Sequence, residues 1–432
     1  MTSNSKRRLV KGAALGALML VPGSSAFAQD KRPVRIGFSI AQTGTLAAGG
    51  KAALIARQMW KDDVNARGGI LGRPVELVFY DDQTNGSNTP GIYTKLIDVD
   101  KVDILFGPYG TPVQAPILPL VKQRDMLVFG NFSYLANEQL KYDMYFHAAP
   151  FGATPDAWPG AFVRLAHSKG AKTIAIMAAD SEGTQTLAAG ARSVAEKLGL
   201  KVVYDQKFPF NSVDFSSILR SVRASKAEAV YVASFPNETA AIVRGVNEVG
   251  VGDSVKIFGG GMVGLQFAPL LESLGSSVNG IVNFHTYVPE KTMDFPGIRD
   301  FLTRYAVKAK EAQVDPLGFY LAPFNYAMGQ VIEQAANVSK TLDNRTLAKY
   351  MKENEFATIV GKIRFGPTGE WQTPRMVQVQ YQGVVDKNID QFRAPGRTVI
   401  VEPAEYVSGE LRMPFETARR SKRPGDRKPV SK

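Results

Sequence analysis

Short runs of β-branched and aromatic residues recur along this chain, each followed by a turn and then by an amphipathic helical pattern. That alternation fixes the fold class first, because parallel neighbours need a crossover between them and a helix supplies it. The runs are Val34–Ile40, Val75–Tyr80, Ile104–Phe106 and Met126–Phe129 in the first half, then Thr173–Met177, Val202–Phe208, Ala229–Val232 and Val255–Phe258 in the second. Their composition suits strands buried on both faces of parallel sheets. Between them, Ala52, Ile55, Ala56 and Met59 fall on one helical face, and the segment Asn65 to Gly69 ends that helix through glycine. Tyr320, Phe324, Ala327, Met328, Val331, Ile332 and Ala335 make the clearest core-facing stripe. At 432 residues the chain exceeds one ordinary hydrophobic core, so two α/β lobes are expected.

The amino terminus has its own logic. Lys6, Arg7, Arg8 and Lys11 precede an apolar stretch from Gly12 to Val21, and Ala26-Phe27-Ala28 offers a small-x-small cleavage site. The pattern is that of a secretory signal peptide over residues 1–28, too short to span a bilayer, which takes roughly 20 apolar residues. The mature chain is expected to start near Gln29 and to work in the periplasm; Ser5 to Lys11 also loosely matches a twin-arginine leader, which leaves the export route open. No cysteine occurs, which excludes disulfides, thiol nucleophiles and thiolate metal sites.

The net charge of +12 loses its meaning once located: the leader carries four positive charges and Thr417–Lys432 six net, leaving the body at +2. Such a body has no basic field to steer nucleic acid. The basic carboxyl end, 413–432, is expected to be a disordered tail.

Open parallel sheets bind ligands beyond the carboxyl ends of their strands, so the loops that follow strands are the candidate site. The loop Ala41–Gly50 resembles a P-loop but has Ala52 where a magnesium-binding hydroxyl belongs, so nucleotide binding is not expected. Gly259 to Gly264 contains a formal G-x-G-x-x-G, better explained by a tight turn or a close backbone approach. The three histidines, His147, His167 and His285, lack metal-ligand spacing, and no G-x-S-x-G elbow is present, so neither catalysis nor a cofactor nor a metal is expected. Asp81 and Asp82 follow a strand and suit a turn cap better than acid–base chemistry.

The run Asp63-Val64-Asn65-Ala66-Arg67-Gly68-Gly69-Ile70-Leu71-Gly72-Arg73-Pro74, continued by Val78 to Gln83 and by Val102 to Pro108, resembles the leucine/isoleucine/valine-binding protein family. The resemblance covers most of the chain from Val34 to about Tyr381. It implies a type I periplasmic binding protein fold: two Rossmann-like lobes with parallel sheets flanked by helices, joined by three crossovers near Ala148–Pro150, Val288–Pro289 and Val360–Gly361. Lobe I would take 29–149 and 290–359, lobe II 150–289 and 360–412. The implied function is capture of a small polar ligand by lobe closure and delivery to an ABC importer permease, the protein acting as a monomer and leaving the ligand unchanged. A ligand-sensing receptor module of the same fold is the alternative, and a hydrolase built on two such lobes a more distant one.

By the same resemblance, the ligand's carboxylate would be held by Tyr109, Gly110 and Thr111 after the third strand and by Asn131, Phe132 and Ser133 after the fourth. Thr111 also fits a helix cap, and Phe132 the core. In lobe II, Glu182 stands where the family often has an aromatic residue, and Phe235 at another commonly aromatic position. Gly261 stands where amino-acid binders tend to carry the acidic partner of the ammonium. Either Glu182 replaces that carboxylate from another wall, or the ligand has no ammonium, as in an aromatic acid, amide or urea. Gly49, where some relatives are bulky, implies extra room in the cleft.

Overall fold

The computed structural model describes residues 1–2 and 32–420. The leader and its cleavage site lie outside the described residues, as does the tail beyond Arg420. Among the described residues, 33–420 belong to one compact unit.

The first sheet contains β1 (Val34–Ser39), β2 (Val75–Tyr80), β3 (Ile104–Tyr109), β4 (Val128–Asn131) and β5 (Tyr145–His147), all parallel, in the order β2-β1-β3-β4-β5. The second is built on β6 (Thr173–Ala179), β7 (Lys201–Phe208), β8 (Ala229–Ser234), β9 (Ile257–Met262) and β10 (Val282–His285). After a separate hairpin, β11 (Glu355–Thr358) and β12 (Gly361–Arg364), the chain adds β13 (Val377–Tyr381) and β14 (Thr398–Glu402) to its edge. The order is β14-β13-β10-β9-β8-β6-β7. The parallel sheets expected from the sequence are present, and to them the second adds one reversed strand, β13, which runs antiparallel to both β10 and β14.

Both sheets have a switch in strand order, between β1 and β3 in the first and between β6 and β8 in the second. The carboxyl ends of those four strands are therefore where a crevice opens.

Chain order and spatial order part company at the helices. Ala47–Ala66, early in the sequence, packs against Ala322–Ser339, far along it. Gly329 makes the contact possible, since a Cβ there would lie 2.0 Å from the ring of the fully buried Trp60. Asp63 adds a polar clasp, taking Arg304 Nη1 and Nη2 at 3.0 and 2.9 Å and the Tyr326 hydroxyl at 2.7 Å. The chain thus passes from first sheet to second after β5, returns after β10, and leaves again after β12.

Sequence and structure diverge at two further places. The glycines after Phe258 belong to β9, not to a turn, so that strand extends to Met262. At the carboxyl end, 413–420 is not disordered tail: Phe415–Arg420 is a short helix. Phe415 is buried and stacks on Phe258 at 5.1 Å, and its N–H donates to the Val255 carbonyl. One aromatic anchor outweighs the basic composition around it.

Phe415→Ala is expected to lower unfolding free energy by about 3 kcal/mol, as for other buried Phe truncations, measured by denaturant unfolding. Burial pushes the Asp63 carboxyl upward, but the hydrogen bonds from Arg304 and Tyr326 and the nearby positive charges outweigh it and hold the group below its ordinary value. A depressed carboxylate stabilises the fold above its unfolded pKa, and that contribution is lost as pH falls through the folded pKa. Stability should therefore decline below about pH 4. Asp63→Asn should be less stable at neutral pH and should flatten that part of the decline.

Candidate ligand cleft

The four switch-point strands deliver their loops to one side of each sheet. After β1, Asp81 orders the turn: its Oδ1 accepts from the Gln42 and Gln83 N–H groups and its Oδ2 from the Thr43 hydroxyl. Asp82 accepts from Ser39 Oγ and from the Thr84 N–H. Both carboxylates cap the turn that follows them, as their position after a strand implied, and Asp81 in addition braces the loop after β1.

A groove of about 1140 Å³ lies where that helix meets the carboxyl-end loops of the second sheet. Ala48 and Lys51 form one wall; Asn211 and Phe215 after β7, Pro236 and Asn237 after β8, and Phe267 and Leu270 after β9 form the other. Phe235 is the residue that leads into the helix Pro236–Val249, half-buried, its ring edge-on to Phe210 at 5.7 Å. It therefore stands at the groove's edge, beside two lining residues.

Behind the groove, an aromatic wall joins the two halves. Phe267 meets Tyr320 at 5.7 Å, and Tyr320 meets Phe132 at 4.8 Å. Phe132 meets Phe151 at 5.5 Å, Phe151 stacks on Trp158 at 4.7 Å, and Trp158 lies 4.4 Å from Phe284. Phe132 thus serves as core in this structure, and it does so with a φ of 51°, a left-handed backbone that a bulky residue adopts only when its surroundings enforce it.

The other first-half candidates gather around it with most of their polar groups engaged. Gly110 donates its N–H to the Asn131 carbonyl, Thr111 its hydroxyl to the Tyr134 carbonyl, and Ser133 its N–H to His147 Nε2. The Ser133 hydroxyl meets the Tyr145 hydroxyl at 3.1 Å. Asn131 accepts from Asn325 through its side-chain oxygen, while its Nδ2 is buried without a protein partner. Tyr109, also buried, packs on Gly49: a Cβ at Gly49 would sit 2.5 Å from the Tyr109 ring and 2.6 Å from Leu321. The extra room expected at Gly49 is accordingly filled by these two side chains.

Arg57 anchors this cluster from below. It is fully buried, with Phe38 and Phe106 4.3 and 5.3 Å from its guanidinium carbon. It donates to Asn325 Oδ1 at 2.9 Å and to the Gly107 carbonyl at 3.0 Å. Burial brings its pKa down to about 9, which leaves it charged at neutral pH. No sequence motif marks this role; only the helical position of Arg57 on an otherwise apolar face hints at it.

In the second half, Glu182 opens the helix Glu182–Lys197 and is exposed, its side chain absent from the groove lining. Gly261 has no space to spare. A Cβ there would lie 2.7 Å from the Tyr231 hydroxyl, and Gly260 likewise accommodates the Tyr231 ring. Tyr231 pairs with Gly259 in register, so its ring runs along the glycines toward the sheet's carboxyl end. The hydroxyl is buried without a protein partner, and burial holds it neutral far above its ordinary range. The glycine run is a track for this ring.

Ser133, His147 and Glu370 invite comparison with a hydrolytic triad, since His147 Nδ1 lies 2.9 Å from Glu370 Oε2. The ring's other nitrogen faces the Ser133 N–H and not its hydroxyl, so it cannot take the hydroxyl's proton. His285 is buried against the Tyr381 hydroxyl and pushed down to about 3 by burial, and His167 is exposed. Among the described residues no group of three or more acidic or histidine side chains is placed to hold a metal ion. No helix among them is long and apolar enough to cross a membrane.

Comparison with known proteins agrees with this architecture. A family model described as periplasmic binding protein matches residues 33–385. The Leu/Ile/Val-binding protein homolog 8 of Brucella suis biovar 1 is 26% identical over 390 residues, covering 87% of this chain and 94% of the relative. An ABC-transporter solute-binding protein from R. palustris, solved in complex with benzoate, aligns with a TM-score of 0.67 at 17% identity, covering 85% of this chain and 95% of its own. The branched-chain amino acid transporter substrate-binding protein LivJ of Streptococcus pneumoniae, solved with isoleucine, gives 0.67 at 19% identity, covering 82% and 97%. With two switch-point sheets, three crossings and a cleft between them, this chain belongs to the periplasmic binding protein family.

Proposed function

We propose that this protein is exported, captures a small polar solute in the crevice between its two halves, and hands it unchanged to the permease of an ABC importer. The observation that carries this reading is the groove itself, whose walls come from both halves at the carboxyl ends of parallel strands. Solute contacts made by both walls exist only when the halves are together, so binding biases the closed population, which a permease can recognise. Tyr109, Gly110, Thr111, Asn131, Phe132 and Ser133 are proposed as the first half's contribution, and Glu182, Phe235 and Gly261 as the second's. The halves are proposed to divide as 29–149 with 290–359 and 150–289 with 360–412, the leader being removed near Gln29 and the mature protein acting as a monomer.

Gly261 favours a solute without an ammonium group. A buried ammonium needs a carboxylate partner, and the Tyr231 ring occupies the space an acidic side chain at 261 would need. Of the two solved relatives, one holds benzoate and the other isoleucine; we infer from Gly261 a solute nearer the first chemistry.

A thermal-shift panel of amino acids, aromatic acids, amides and urea tests the reading. A true solute at a hundredfold excess over its Kd should stabilise by about 2.7 kcal/mol, with the melting temperature rising with concentration. Mass spectrometry after prolonged incubation should recover it unaltered. Conversion of the solute, or no stabilisation by any member of a broad panel, would remove the proposal. Gly261→Asp should not create an amino-acid site; it should lower stability by about 1–3 kcal/mol through overpacking against Tyr231, read from denaturant unfolding.

A further inference from the structure

His147 closes β5, where the chain leaves the first sheet for the second, and no part of it reaches solvent. Its Nε2 lies 2.9 Å from the backbone nitrogen of Ser133, in the loop that carries Asn131, Phe132 and Ser133. A backbone N–H can only donate, so Nε2 accepts and carries no proton. The proton of the neutral ring therefore sits on Nδ1, which faces Glu370 Oε2 at 2.9 Å. That approach is close but off the axis of a directed hydrogen bond, so it acts through charge.

Glu370 comes from the segment between β12 and β13, the third crossing between the sheets. The same segment grips the main chain of His147 on both sides. The His147 N–H donates to the Gly369 carbonyl at 2.9 Å, and Trp371 Nε1 donates to the His147 carbonyl at 3.1 Å. Gly369 sits so close that a Cβ there would lie 1.7 Å from the Tyr145 carbonyl.

We propose that His147 is a positioning residue for solute capture: as the neutral Nδ1–H tautomer it ties the Asn131–Ser133 loop to the first and third crossings, so that loop and hinge move as one. The inference rests on the capture reading above and deepens it. The left-handed Phe132, directly before Ser133, is a backbone that needs such a restraint.

The groups that face the ring are the Glu370 carboxylate from the third crossing, the Tyr145 phenol from β5, stacked at 6.1 Å, and the Phe151 ring at 5.4 Å. The Tyr134 phenol, from the loop after β4, lies within the field of Glu370. The ring's Nδ1 is 2.9 Å from the Glu370 carboxylate. A second proton on the ring would have to go on Nε2, directly against the Ser133 N–H. A proton placed there would break the Ser133 bond.

Nitrogen-15 NMR of the labelled native protein reads the tautomer directly and needs no solute. His147 should show a protonated Nδ1 and a bare Nε2 at neutral pH; a protonated Nε2 overturns the proposal. Benzoate and isoleucine are then titrated against native protein, His147→Gln and His147→Phe, with melting curves to confirm folding. Gln offers an oxygen to the Ser133 N–H and should rescue affinity to within about threefold; Phe offers nothing and should weaken binding about tenfold, the scale of one lost buried hydrogen bond. Equal affinities in all three proteins would overturn the proposal. Should neither compound bind the native protein, the capture reading loses support while the tautomer result still decides this one.

Discussion

The contact between Trp60 and Gly329 sets the architecture. A full indole and a bare glycine let the helices Ala47–Ala66 and Ala322–Ser339 approach closely over the first sheet. Once that pairing exists, a segment from late in the chain is committed to the early sheet, and the chain has to cross between sheets three times instead of once. Asp63, held by Arg304 and Tyr326, and Glu333, held by Arg67, fix the same pairing at its polar rim. Three crossings are what keep two rigid sheets beside one another with their strand ends facing a common crevice, so the site's existence follows from a packing choice made on its far side.

Much of this was legible. Val75–Tyr80 emerges with the boundaries its apolar run indicated, and the stripe from Tyr320 to Ala335 packs as core. Such features depend on local periodicity, which a sequence carries openly. What escaped depends on partners distant along the chain. Gly259–Gly261 looks like a turn until Tyr231 is laid across it, and Phe415 looks like one apolar residue in a basic tail until Phe258 is placed beneath it. The antiparallel β13 and β14 have the same composition as parallel strands; direction is a property of topology that residue type does not encode.

The candidate site divides the same way. Loop positions followed from strand ends, but none of the nine residues named from the sequence lines the groove; Phe235 only precedes two residues that do. The state of each side chain did not follow. Thr111, Gly110 and Ser133 are small polar residues of the kind that hold carboxylates, yet their donors are engaged with neighbouring loops. His147 seemed a bystander in an apolar stretch, and its importance comes from Ser133 and Glu370, 14 and 223 positions away along the chain. Hydrogen-bond partnership across such distances has no local signature.

The sealed guanidinium of Arg57 has a consequence for affinity. Packed against two phenyl rings and bonded to Gly107 and Asn325, it is part of the apolar core and also the root of the loops above it. Asn325 passes that anchorage to Asn131. The conformational freedom of those loops is therefore surrendered when the polypeptide folds, before any guest arrives, and the entropy cost of arranging this jaw does not recur at each encounter.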